Sequence, residues 1–290
     1  MNSILEDLQT QGYALVQNPH STVQDFVRLS NAWGKNFLSV SGADSAHKHT
    51  HRPRQIIGSH LGRTPLPNHA SVFLSSGSGS TFPLPLHGEL YYQSHSPPEA
   101  LFFYCQTPPA EAGETMVCNG ISLFDALPSP LQERLVSQKI SYTRYSPKEL
   151  WENDYATQDG NALLAFLAQN HVHGEIDANG ELKTVFTTSA VPKVNGKHCF
   201  INNLIPFALR EHQEPEATRS RVRFENGDAV SPEVLNTILT VAAQQQVGIS
   251  WQAGDILIVD NRWCMHGRDR LAEGPRTLYL RMAQRIHLEA

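Results

Sequence analysis

The segment PLPLHGELYY (83–92) holds the residues of greatest chemical consequence. His87 and Glu89 stand two apart, so in an extended chain both side chains project to one side. One imidazole and one carboxylate so placed can take adjacent corners of an octahedral metal ion. A third ligand must come from far along the chain, and VDNRWCMHGRDR (259–270) offers His266 just beyond an apolar strand. Two histidines and one carboxylate on one metal face leave three positions open. Non-haem Fe(II) sites use that arrangement to admit a co-substrate and O2.

Other metal patterns fit less well. The zinc deaminases also use H-x-E, but they need a P-C-x-x-C partner, which this sequence lacks. There is no H-E-x-x-H either. His47, His49 and His51 are denser, yet they sit beside Lys48, Arg52 and Arg54 and read as a solvated loop. The four cysteines, Cys105, Cys118, Cys199 and Cys264, are scattered without a C-x-x-C and read as buried thiols. A zinc hydrolase on the same three ligands and a non-catalytic binding protein remain open at this point.

The elements that must position these ligands read as mainly β with flanking helices. A helix over 3–11, a strand GYALVQ and a helix from Ser21 through Trp33, with its N-cap at Ser21–Asp25, come first. ALFFYCQ, ETMVCNG and ISYTRY read as strands, and ISLFDALPSPLQERLVSQ as helical. Residues 146–180 read as helical. TVFTTSAVPKV, NGKHCFINNLI and RVRF form a second β-region with Asn-Gly turns that favour hairpins. Ser231–Gln245 is a helix with Ser at the N-cap and Pro at its first position. GDILIVDN and RTLYLRMAQRI close the chain as strands. No linker divides residues 1–290, so one domain is expected, with loop 41–81 and segment 146–220 as lid or specificity insertions.

Composition limits the partners. Of 290 residues, 40% are hydrophobic and 18% charged, as in folded globular chains. A net charge of −5 offers no basic surface for nucleic acid or anionic membrane. No run approaches the ~18 apolar residues of a membrane span, and the first residues do not form a signal peptide. A cytoplasmic location is the expectation.

HGELYY, PPEALFFYCQTPPAEAGETMVCNG, ISWQAGDILIVDN and HGRDRLAEGPRTLYLRM occur in that order. Together they resemble the TauD/TfdA family of Fe(II)/2-oxoglutarate-dependent dioxygenases over about Leu84–Ile121 and Val222–Met282. Glu89, where Asp is more usual, resembles the clavaminate-synthase-like and syringomycin-type hydroxylase branch. The resemblance implies a double-stranded β-helix, or jelly roll, with Fe(II) on His87, Glu89 and His266. It also implies a 2-oxoglutarate site at Thr115 and Arg276, with O2 as the oxidant. Strand periodicity bears on that arginine. In RTLYLRM, Arg276 alternates with Leu278, Leu280 and Met282, while Arg281 shares the other face with Thr277 and Tyr279. An inward arginine is a costly buried charge unless an anion pairs with it, as a dicarboxylate would.

Tyr91, Asn203 and Arg281 are weaker candidates for substrate contact, with Tyr92 and Asn202 beside them. Arg268 and Arg270 are left unassigned, and Asp255, Asp260 and Asn261 read as turn-fixing residues. The expected reaction is hydroxylation of an amino-acid-derived small molecule in natural-product metabolism. Desaturation or cyclisation is the alternative outcome. The substrate could be free or tethered to a carrier protein, and a homo-oligomer is compatible with the sequence.

Overall fold

Strict alternation builds the centre of the fold. In the strand Ala100–Thr107, Leu101, Phe103 and Cys105 join one buried cluster while Ala100, Phe102 and Tyr104 join another. The computed structural model describes residues 2–38, 65–75, 82–155 and 157–288. From the N-terminus come α1 (Asn2–Thr10), β1 (Tyr13–Val16), α2 (Val23–Trp33), β2 (Gly34–Phe37), β3 (Pro65–Leu66) and β4 (His69–Leu74). Next are β5 (Leu84–His87), β6 (Ala100–Thr107), β7 (Thr115–Asn119), α3 (Gly120–Ala126), α4 (Ser129–Ser137) and β8 (Lys139–Ser146). The middle continues with α5 (Lys148–Tyr155), α6 (Gly160–Gln169), β9 (His173–Ile176), β10 (Leu182–Ser189), β11 (Lys193–Val194) and β12 (Lys197–His198). After α7 (Leu204–Gln213), β13 (Ser220–Phe224) and α8 (Pro232–Gln245), the chain closes with β14 (Val247–Ile249), β15 (Ile256–Asp260), β16 (Cys264–Arg268) and β17 (Thr277–Ile286).

A large antiparallel sheet runs β1-β15-β6-β17-β4-β3, with β2 also on β17, and a small one runs β14-β7-β16-β5. Phe103, Leu257, Val259, Leu278, Leu280 and Met282 of the large sheet pack on Val117, Ile249 and Cys264 of the small one. The two sheets therefore close on a shared core as a jelly roll. On the far side of the large sheet, Phe102, Tyr104, Ile256 and Ile258 pack under Leu8 of α1 and Phe26 and Trp33 of α2. A third cluster joins α3, α4, α6, α7 and α8 to a separate sheet, β13-β8-β10-β9. Among the described residues no helix is long and apolar enough to cross a membrane.

Several boundaries differ from the sequence reading, each for a local reason. Helix α2 is capped by Thr22, not Ser21: the Thr22 hydroxyl accepts from the Asp25 N–H, and the Asp25 carboxylate accepts from the Thr22 N–H. The helical run 121–138 splits at Leu127 because Pro128 disfavours a helical residue before it. The stretch read as loop contains β4, which pairs with β17, and the stretch read as helical ends in β9, which pairs with β10. The remainder of loop 41–81, including His47, His49 and His51, lies outside the described residues. The Asn195-Gly196 hairpin joins β11 to β12 with positive φ at both residues, as its turn type requires.

Arg281 projects to the helix side of the large sheet. Its guanidinium donates to Val27 O at 3.1 Å, Asn31 Oδ1 at 3.0 Å, Ser71 Oγ at 3.2 Å and the Ser30 hydroxyl, and it stacks on Phe37. It ties α2 to β17 and β4, on the opposite face of β17 from Leu280 and Met282. Burial pushes its pKa down to about 10. Arg281→Leu should lower stability by about 2–4 kcal/mol, since several buried acceptors lose their donor together. The measurement is the urea midpoint, and Fe(II) affinity measured on the same variant should stay unchanged.

Candidate active site

Strand β16 lies between β5 and β7, with His266 opposite His87 on one side and Val117 on the other. This strand, Cys264–Arg268, was not anticipated: the sequence reading ended the strand before His266. Its approach to β5 is close, and a Cβ on Gly267 would stand 2.6 Å from Leu84 O. Only glycine fits between His266 and Arg268. Gly88 is held as tightly, because a Cβ there would meet the Tyr91 ring at 2.6 Å and the Ile201 side chain at 3.1 Å.

The extended chain expected across His87 and Glu89 ends at His87. Glu89 opens a turn in which Leu90 takes a positive φ of 65°. The turn still returns the carboxylate to the histidines, with Glu89 Oε2 3.9 Å from His87 Nε2 and 3.5 Å from His266 Nε2. One ligand atom from each of these three buried residues lies within 4.8 Å of the other two. His87 Nδ1 lies 2.9 Å from Pro85 O, and a carbonyl can only accept, so Nδ1 carries the proton and Nε2 keeps its lone pair. Two imidazole nitrogens and one carboxylate oxygen converge from one side, which is a donor set for a divalent transition metal.

The turn at Glu89 is gripped from a distance. Asn261 Oδ1 accepts from the Glu89 N–H at 2.8 Å, and Asn261 Nδ2 donates to Glu89 O at 3.2 Å and Pro98 O at 2.7 Å. Asn202 O accepts from the Gly88 N–H at 2.9 Å. Asn261 was read as turn-fixing, but its reach to a residue 172 positions away has no local signal in the sequence.

Thr115 starts β7, buried, and its hydroxyl accepts from Trp251 Nε1 at 3.0 Å. Across the sheet it pairs with Arg268, which is two residues from His266 and therefore on the same face of β16. Arg268 donates to Phe82 O at 2.6 Å, and burial lowers its pKa. Arg276 precedes β17, with its pKa lowered to about 10, first by burial and then by the nearby charge of Arg268. Thr115 and Arg268 thus flank His266 on the ladder, with Arg276 near Arg268, whereas Arg270 is exposed.

The weaker substrate candidates separate. The Tyr91 hydroxyl donates to Asn261 O at 3.1 Å, so it braces the residue that grips the Glu89 turn. Burial pushes its pKa up. Arg281 is on the helix side of the large sheet, as described above. Asn203 is buried beside the Gly88 turn, its N–H donates to the Tyr142 hydroxyl at 2.9 Å, and its Oδ1 has no partner among the described residues. Asp260 holds Arg262 in a bidentate ion pair, and Asp255 accepts from the Gln252 N–H.

A jelly roll with a buried His-Glu-His cluster and an adjacent arginine pair defines the class of non-haem iron oxygenases. The comparison with known families agrees: the model of the taurine catabolism dioxygenase TauD, TfdA family matches residues 1–283, and the chain belongs to that family. It is a 2-oxoglutarate-dependent dioxygenase acting on a small molecule. Relatives in sequence include a clavaminate synthase-like protein from Arabidopsis thaliana, 23% identical over 86% of this chain and 74% of its own length. Another is the dapdiamide synthesis protein DdaC of Enterobacter agglomerans, 21% identical over 70% of this chain and 66% of its own. In fold, the chain is similar to a Burkholderia xenovorans crystal structure described as an alpha-ketoglutarate-dependent taurine dioxygenase, with TM-score 0.57 and 15% identity over 97% of this chain and 79% of the other. It is also similar to PvcB from Pseudomonas aeruginosa, with TM-score 0.52 and 12% identity over the same shares.

Asn261→Ala should weaken Fe(II) binding by about 10- to 100-fold, the usual cost of losing a residue that orients a metal ligand. Anaerobic Fe(II) titration reads the effect, and circular dichroism checks that the fold is kept.

Proposed function

We propose that the protein hydroxylates an unactivated C–H bond of an amino-acid-derived substrate, with Fe(II) on His87, Glu89 and His266 and 2-oxoglutarate on Thr115 and Arg276. The observation that carries the reading is the convergence of three buried donors on one point, with His87 Nδ1 turned to Pro85 O and its Nε2 turned to Glu89. Bound together, Fe(II) and 2-oxoglutarate supply the oxidising power, consuming O2 and releasing succinate and CO2.

The residues around the metal have separable tasks. His87, Glu89 and His266 would hold the Fe(II). Trp251 orients the Thr115 hydroxyl by donating to it, which keeps the hydroxyl proton available for an acceptor such as a carboxylate. Burial and Arg268 both disfavour charge on Arg276, and an arriving carboxylate offsets both effects, so co-substrate binding and arginine protonation reinforce each other. The jelly-roll core next to them, with Phe103 5.6 Å from the His266 ring, keeps bulk water from the metal face. Asn203 presents a buried amide oxygen near the Gly88 turn, suited to a substrate N–H donor. The relatives named for clavaminate and dapdiamide chemistry support a biosynthetic substrate, free or carried by a partner protein.

A zinc hydrolase would use the same three ligands but give Thr115 and Arg276 no task. Adding 2-oxoglutarate to the anaerobic Fe(II) protein should produce a new visible absorption band, which a hydrolase would not show. Mass spectrometry of the product then separates hydroxylation, a gain of one oxygen, from desaturation or cyclisation, a loss of two hydrogens.

His87→Ala and His266→Ala should each abolish Fe(II) retention and succinate formation. Near-normal iron affinity in either variant would remove that residue from the ligand set. Arg276→Ala should keep iron and raise the 2-oxoglutarate requirement, by about 2–5 kcal/mol or roughly 30- to several-thousand-fold. An unchanged KM for 2-oxoglutarate would sink its assignment.

A further inference from the structure

A cavity of about 200 Å³ lies between residues 92–96, strands β8 and β10, and helix α6, apart from the residues placed in the metal and co-substrate sites. Phe166, Val172 and Phe186 form apolar walls, the polar lining is amides, hydroxyls and imidazoles around Arg144, and no lining residue is acidic. We infer that this cavity is a carboxylate-binding subsite, in which Arg144 takes the acid group at one end of an apolar small molecule.

Arg144 donates from Nη1 to Gln93 Oε1 at 3.0 Å and lies 5.0 Å from the centre of the Tyr92 ring. No ion pair joins it to a carboxylate of the described residues. The nearby Asp154 senses its charge, which opposes the rise that burial gives the Asp154 pKa, but Asp154 does not line the cavity. Arg144 is a permanent cation of this lining, and the His95 pKa is pushed down by burial and by His171. A guanidinium fork beside apolar walls matches a carboxylate on a hydrocarbon body, because the fork can bind both oxygens. A cationic ligand would find no lining acid to pair with. The volume is below the roughly 300–1,000 Å³ of pockets that hold whole drug-sized ligands. It suits one end of a molecule.

The other end has a route toward the metal. Tyr92, which lines the cavity, follows Glu89 by three residues, so their Cα atoms are at most about 10–11 Å apart. Its ring packs on both the jelly-roll core and the third cluster. A substrate anchored at Arg144 can therefore extend along Tyr92 toward the metal face. This last step rests on the function proposed above; the binding of the acid does not.

The test is calorimetric titration of the full-length, metal-free protein with phenylacetate, its neutral amide phenylacetamide, and benzylamine as a cationic counterpart. Phenylacetate should bind at least ten times more tightly than either of the others. Arg144→Gln should remove that preference, Arg144→Lys should keep part of it, and Arg276→Gln should leave it intact. Equal affinity for acid, amide and amine in the unaltered protein would overturn the inference without any variant. So would an unchanged preference in folded Arg144→Gln, or its loss in Arg276→Gln, which would put the acid in the co-substrate site. Because iron is absent, these outcomes are independent of whether Fe(II) and 2-oxoglutarate support turnover.

Discussion

Strand β16 enters the small sheet between β5 and β7, and that insertion brings His266 opposite His87. The pairing depends on backbones approaching closely enough that Gly267 cannot carry a side chain. Once the register is set, two-residue alternation does the rest: His266 and Arg268 point the same way, and Val117 and Thr115 lie beside them on β7. A slip of one residue would turn both His266 and Arg268 out of the barrel. His87, His266 and Arg268 are thus fixed by one ladder, with Asn261 clamping the Glu89 turn, which the ladder does not reach.

The same alternation gives two arginines of one strand region opposite roles. Arg281 faces the helices and spends its donors on α2 and Ser71, so its charge is dispersed over carbonyl, amide and hydroxyl oxygens. Arg276 lies near Arg268, and each cation raises the other's need for an anion. A buried guanidinium solvated by neutral acceptors is a structural tie. Two buried cations close together are better suited to a ligand with negative charge.

Much of this architecture was legible because it follows from period-two patterning. ALFFYCQ, GDILIVDN and RTLYLRM read as strands, and the inward assignment of Leu278, Leu280 and Met282 agrees with the core they join. The helix capped by Ser231 was equally plain, since capping is local. Thr115 and Arg276 were singled out by ordered motifs; in the fold Thr115 pairs with Arg268, and Arg276 lies near Arg268. What the sequence hid is non-local. CMHGR is short and carries His, Gly and Arg, so nothing in its composition announces a buried strand. β4 is a strand because it pairs with β17 on one side and β3 on the other. The Asn261 grip on Glu89 and the Trp251 bond to Thr115 join residues far apart in the chain, and Tyr91, adjacent to the ligand motif, turned out to brace backbone.

The chain divides its chemistry between two cores. Every group assigned to metal or co-substrate sits on the jelly roll or its turns, where antiparallel ladders hold positions rigidly. The segment between α3 and α8 builds its own sheet and cluster and contributes Arg144, Phe166 and Phe186 to a separate cavity. Such a layout keeps the His-Glu-His cluster and the second cavity on different packing units of the chain. Tyr92 touches both cores. Its backbone follows directly from the turn that carries Glu89, three residues upstream. A molecule held in that cavity, as inferred above, would thus lie one short piece of chain away from Glu89.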